Sequence, residues 1–207
     1  MTALELMGLS PVIPVIVIDD IKHAVPLAKA LVEGGTRVLE ITMRTPIALE
    51  AISIINKEVP GAIVGAGTVT SAAKFKSALE AGAQFVISPG LSPQLVKAAK
   101  DYSVPLIPGV VTPSEIMMGI EYGLSEFKFF PAEAAGGINM LKALAGPFPD
   151  ARFCPTGGIT QDTAPNFLNL PNVVCVGGTW LTPGKLIKEE NWNAITQLAI
   201  QTKTLLN

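Results

Sequence analysis

The chain has 207 residues, 49% of them hydrophobic and 15% charged, which is ample material for a sizeable core. A net charge of −2 and the lack of any basic run argue against nucleic acid or an anionic membrane as partner. The longest early apolar run, Val12 to Ile18, is too short to span a bilayer. Cys154 and Cys175, the only cysteines, sit in apolar strand-like runs and read as core hydrophobes of a reducing compartment. With no signal-peptide pattern at the start, a soluble cytoplasmic protein is expected.

Residues Ala3 to Met7 predict a short leading helix, and Val12 to Ile18 a strand buried on both faces. Asp19 or Asp20 can cap a helix running to about Glu33, although Pro26 weakens its first turn. Arg37 to Thr42 is a second strand, and Pro46 opens a helix to about Glu58. Ala62 to Thr68 is a third strand, followed by a helix over Ser71 to Ala81. Gln84 to Ser88 is the fourth; Ser92 caps and Pro93 starts the helix after it. Pro105 to Val111 is the fifth, and Thr112-Pro113-Ser114-Glu115 combines a first-turn proline with a capping box. Phe127 to Pro131 is the sixth strand, with a helix over Ile138 to Ala145. Arg152 to Thr156 is the seventh, with a helix over Asp162 to Leu168. Val173 to Gly177 is the eighth, and Trp192, Ile195, Leu198 and Ala199 mark a last amphipathic helix.

Eight strand–helix units without a composition break predict one parallel α/β domain over 1–207, a (β/α)8 TIM barrel with a short N-terminal helix. Glu33-Gly34-Gly35, Glu80-Ala81-Gly82 and Glu121-Tyr122-Gly123 each end a helix just before a strand, a weak internal repeat. A doubly wound open sheet is the alternative.

In a barrel the chemistry stands at the carboxyl ends of the strands. There the sixth strand offers Lys128 between Phe127 and Phe129, on the same face as Phe130. An apolar pocket disfavours the charged form of such a lysine, and a neutral amine attacks carbonyls to form a Schiff base. The plainer reading is a strand-end lysine whose stem covers apolar surface. Glu40, Thr42 and Arg44 share one face of the second strand. Glu40 and Lys128 make either a structural pair or a base beside a carbonyl-trapping amine. Arg44 can hold a carboxylate with two parallel hydrogen bonds. Gly157-Gly158 and Gly177-Gly178 follow strands seven and eight, where barrels commonly bind phosphate through backbone amides; tight turns alone would also ask for them. His23 is the only histidine, so a zinc site built on several histidines is excluded. No acidic cluster points to magnesium, and no nucleotide-binding loop occurs.

Glu40-Ile41-Thr42-Met43-Arg44-Thr45-Pro46, Gly65-Ala66-Gly67-Thr68-Val69, Ser88-Pro89-Gly90 and Phe127-Lys128-Phe129-Phe130-Pro131-Ala132-Glu133 together resemble the class I pyruvate aldolases typified by 2-keto-3-deoxy-6-phosphogluconate (KDPG) aldolase and 4-hydroxy-2-oxoglutarate (KHG) aldolase. The resemblance runs over nearly the whole chain. It implies Lys128 as the Schiff-base lysine and Glu40 as general acid/base, with Arg44 and Thr68 binding the pyruvyl carboxylate and Pro89 and Phe130 lining that pocket. Thr156, Gly157, Gly158, Gly178 and Thr179 match the remaining substrate-binding positions; the two glycine loops with Thr179 form the phosphate end. Many relatives carry serine at Thr179. The resemblance further implies KDPG cleavage to pyruvate and glyceraldehyde 3-phosphate, as in the Entner–Doudoroff pathway, by a cofactor-free homotrimer. Cleavage of KHG or of the epimeric phosphogalactonate is the variant within the class. A pyridoxal-phosphate barrel and a non-catalytic phosphate-binding barrel are the alternatives outside it.

Overall fold

Runs of apolar residues give eight strands: β1 Val12–Ile16, β2 Val38–Thr42, β3 Ile63–Gly67, β4 Val86–Ser88, β5 Leu106–Val110, β6 Glu126–Phe129, β7 Arg152–Pro155 and β8 Val176–Gly178. The structure is a computed structural model and describes residues 1–206. All pairings are parallel and sequential from β1 to β7, and β1 pairs with β8. Bridges Phe153–Val173 and Thr156–Gly177 join the seventh strand region to the eighth and close the barrel. An open doubly wound sheet, which requires a reversal of strand order, is thereby excluded.

The helices are α1 Ala3–Met7, α2 Ala24–Glu33, α3 Ala48–Glu58, α4 Ala72–Glu80, α5 Pro93–Tyr102, α6 Pro113–Glu121, α7 Gly137–Ala145, α8 Ala164–Leu168, α9 Gly184–Lys188 and α10 Trp192–Thr202. Gly35, Gly82 and Gly123 have φ of +94°, +96° and +79°. The repeated helix ending is therefore a left-handed turn into the next strand, which glycine adopts without strain. Pro26 lies in the first turn of α2, after a 3-10 turn over Ile21–His23, where no intrahelical amide bond is lost. The Thr112–Glu115 capping box forms in both directions. Burial pushes the Glu115 carboxyl up, but the amides of Thr112 and Val111 and the Thr112 hydroxyl outweigh it and hold it below its ordinary value.

Some boundaries differ from expectation. β8 begins at Val176 because its partner on β1 begins at Val12; Val173 makes only an isolated bridge to Phe153. The helix after β2 starts at Ala48, two residues beyond Pro46. Ser92 precedes α5 but makes no backbone cap; its hydroxyl donates to Gln94 Oε1 at 2.8 Å. Helix α9 is added to the expected elements; its five residues carry no apolar period to read.

Two apolar layers form. Leu27, Leu31, Ile52, Ile55, Phe75, Phe127, Phe129 and Phe153 fill the space between sheet and helices. Inside the barrel, Leu6 and Met7 of α1 pack with Ile13, Val38, Ile63, Phe85 and Ile107. These last residues lie at the strand starts, so α1 plugs the amino end and leaves the carboxyl end open. Cys154 and Cys175 join that plug as free thiols. The neighbouring Cys154 sulfur and complete burial push the Cys175 thiol well up, so it stays protonated and unreactive.

Candidate active site

On β6, Phe127 and Phe129 turn outward to meet Phe153, at ring-centroid distances of 6.1 and 6.4 Å. Gly119 on α6 leaves room for the Phe127 ring. That outward anchoring turns Lys128 inward. Glu40, opposite Val15 and Gly65 in the sheet, also faces inward. Lys128 Nζ donates to Glu40 Oε1 at 3.2 Å across 88 sequence positions. The lysine side chain is 6% exposed and the glutamate 2%. Gly67 on the neighbouring strand has no side chain because the Glu40 carboxylate lies over it. The Phe130 ring centroid stands 5.4 Å from Nζ, close enough to stabilise the ammonium through its π face.

Arg44 and Thr68 also meet: Arg44 Nε donates to Thr68 Oγ1 at 3.1 Å. Thr68 has φ of +59°, an outlier for a β-branched side chain and a mark of backbone strain of the kind that clusters at functional sites. It directly follows Gly67, so this pair sits beside the Lys128–Glu40 pair. Thr42, on the Glu40 face, spends its hydroxyl on the Ile16 carbonyl at 2.8 Å. The Ser88 hydroxyl donates to the Gly90 carbonyl at 2.8 Å, fixing the turn that carries half-buried Pro89.

The glycine loops have more than one use. Gly157 and Gly158 have φ of +106° and +81°, so the turn itself requires them. Amides of Ala132 and Glu133 donate to the Thr156 and Gly157 carbonyls at 2.8 and 3.1 Å, stitching the loops after β6 and β7 together. Gly177 makes room for the buried Thr156 side chain and Gly178 for the Trp180 ring. Among the described residues, the amides of Gly158, Ile159 and Thr179 donate no hydrogen bond within the protein, and they remain available to an anion. Thr179 is exposed and lines a cavity of about 450 Å³ with Val15, Val17, Thr182 and Lys188. Val15, Trp180, Thr182 and Lys188 were not singled out from the sequence. The Thr-Pro pair before α9 was the only local signal. Among the described residues, no group of three or more His, Cys, Asp or Glu is placed to hold a metal ion, and no helix is long and apolar enough to cross a membrane.

A buried lysine paired with a carboxylate, an arginine–threonine pair beside it and free amides farther out can bind a 2-keto acid, trap its ketone and move protons. Comparison with known proteins agrees with that chemistry. The family described as KDPG and KHG aldolase matches residues 4–198. A 2-dehydro-3-deoxy-phosphogluconate aldolase of Dickeya dadantii is 55% identical over 198 residues, covering 96% of this chain and 93% of that protein. A KHG/KDPG aldolase of Escherichia coli is 54% identical with the same coverage. The crystal structure of KDPG aldolase from Legionella pneumophila, with pyruvate captured at low pH as a covalent carbinolamine intermediate, superposes with a TM-score of 0.95 at 48% identity and covers 98% of each chain. The chain belongs to the KDPG and KHG aldolase family of carbon–carbon lyases.

Proposed function

We propose that this protein cleaves KDPG to pyruvate and glyceraldehyde 3-phosphate through a Schiff base on Lys128. The observation that carries this is the buried Lys128–Glu40 pair, 3.2 Å apart at the carboxyl end of the barrel. Relatives named for KDPG cleavage and the carbinolamine of the Legionella protein support it.

Glu40 is the group placed to take a proton from the Lys128 ammonium, and the freed amine attacks the C2 ketone. The resulting carbinolamine loses water, with Glu40 returning a proton to the departing hydroxyl, and an iminium forms. Glu40 then accepts the C4 hydroxyl proton. The C3–C4 bond breaks, its electron pair moves into the iminium, and glyceraldehyde 3-phosphate leaves. Protonation of the enamine at C3 and attack by water release pyruvate and regenerate the lysine. Arg44, held by Thr68, pairs with the pyruvyl carboxylate. Pro89 and Phe130 wall that end. Thr156 lies between the reacting pair and the phosphate end, where the amides of Gly158 and Thr179 face the anion. Gly157 and Gly178 shape that cradle. The name of the Escherichia coli relative favours KHG cleavage to pyruvate and glyoxylate as a second activity, since the pyruvyl end is common to both substrates. Exposed Met117, Met118 and Ile120 on α6 offer an apolar face for the self-association that a homotrimer requires, and two buried free thiols support a cytoplasmic location.

Incubation with pyruvate and borohydride, followed by peptide mapping, tests the core of this reading. Reduction fixes an imine irreversibly, so the adduct is expected on Lys128. Folded protein that gains no mass on that peptide would remove the Schiff-base mechanism.

A further inference from the structure

We propose that Lys188 and Thr182 extend the anion-binding end of the site into the cavity between β1 and β8, and there set the preference for a phosphorylated over an unphosphorylated substrate. This rests on Gly158 and Thr179 forming the phosphate end. The cavity measures about 450 Å³ and is walled by Val15, Thr179, Thr182 and Lys188. Val15 is the ladder partner of Glu40, so the cavity opens beside the reacting pair. Thr182 is 9% exposed. Among the described residues its hydroxyl has no protein partner, yet it is not sealed from solvent. A mostly buried hydroxyl in that position is costly unless water or a ligand satisfies it. Its amide donates to the Thr179 carbonyl at 3.2 Å, placing both threonines on one turn.

Lys188 ends α9 on the cavity wall. Lys185 pairs with Glu189 at 3.9 Å, and Lys22 is shared by Asp20 and Glu190. Lys188 has no acidic partner within 4.0 Å among the described residues. An unpaired lysine on the wall of the cavity that Thr179 and Thr182 also line suits a phosphate, which lysine recognises as a point charge. Asp19 and Asp20 line the same cavity and oppose an anion. Asp20 is occupied, accepting from the Lys22 amide at 3.1 Å and facing its ammonium at 3.8 Å. Asp19 has no such partner, so its charge provides a counter-test: removing it should help where removing Lys188 hurts.

The experiment measures kcat/KM for KDPG and for 2-keto-3-deoxygluconate, at low and high salt. It compares the parent with Lys188→Met, Thr182→Val, Thr182→Ser and Asp19→Asn. Lys188→Met should lower the ratio of the two values about 10-fold through KM, with a smaller loss at high salt. Thr182→Val should lower it about 3-fold, Thr182→Ser should leave it, and Asp19→Asn should raise it about 2-fold. Pyruvate–borohydride labelling of Lys128 in each variant confirms an intact reacting pair. A parent that favours KDPG, with the ratio unmoved in Lys188→Met and Thr182→Val, overturns this proposal alone. A parent indifferent to the phosphate overturns the phosphate end itself and this extension with it.

Discussion

Gly67→Ala should disable the enzyme without touching any reacting atom. The added Cβ would stand against Glu40 Oε1, 2.6 Å from Cγ and 2.8 Å from Cδ, where ordinary contacts are 3.4–4 Å. The carboxylate must therefore retreat by about 1 Å, because the strand backbone beneath it is held in the sheet. Its link to Lys128 is already at 3.2 Å, so the displacement breaks that hydrogen bond. A misplacement of about 1 Å in a catalytic group costs on the order of 100-fold, equal to about 2.7 kcal/mol in the barrier. The forced packing should also cost about 1–3 kcal/mol of stability. Pyruvate release, followed through NADH oxidation by lactate dehydrogenase, gives the rate, and denaturant unfolding gives the stability. Gly146→Ala is the control, since its Cβ meets only the Ala143 carbonyl at 4.0 Å; its rate should stay within about twofold. A Gly67→Ala protein with parental kcat would mean that the placement of the Glu40 carboxylate is immaterial. The acid/base role of Glu40 would then fall.

Lys128→Met should abolish cleavage and also leave Glu40 as an unpaired buried carboxylate, lowering stability by about 3–5 kcal/mol. Adding Glu40→Leu should recover most of that loss in denaturant unfolding, and a single variant as stable as the parent would refute the buried pair. Thr68→Gly relieves a left-handed φ of +59° that costs about 1–3 kcal/mol. Its melting temperature should be no lower than the parent's, while KM rises about 5-fold as Arg44 loses its hydroxyl partner; a clear fall in melting temperature would show that the threonine is not strained. Glu115→Gln keeps an accepting group in the cap of α6 but removes the charge from the helix N-terminus, and should cost about 0.3–1 kcal/mol at neutral pH. The native Glu115 carboxyl is held low, so the parent's advantage is full above the ordinary carboxylate range and disappears as pH falls through the native value. Melts at pH 7 and pH 3 that show the same difference would refute this.

How far the site could be read in advance follows from which contacts obey a register. Strands buried on both faces appear as apolar runs. Gly35, Gly82 and Gly123 mark helix ends because left-handed backbone favours glycine. Once eight parallel strands close, residues at their carboxyl ends must converge, so Lys128 and Glu40 could be paired although they stand 88 positions apart in sequence. The same logic says nothing about what a missing side chain is for. Gly67 and Gly177 look alike within a strand, yet one accommodates the Glu40 carboxylate and the other the Thr156 side chain. That distinction depends on side-chain direction across neighbouring strands, which no local pattern carries. Helix α9 is a harder case still: five residues show no period, and only its place after β8 brings Lys188 to the cavity beside Thr179. Register thus delivers the proposed reacting pair, which sits on strands, while the residues proposed to choose among substrates sit on loops and short helices, where no register exists. The specificity of this barrel is accordingly to be sought by substitution along Thr179 to Lys188, not along the strands that hold Lys128 and Glu40.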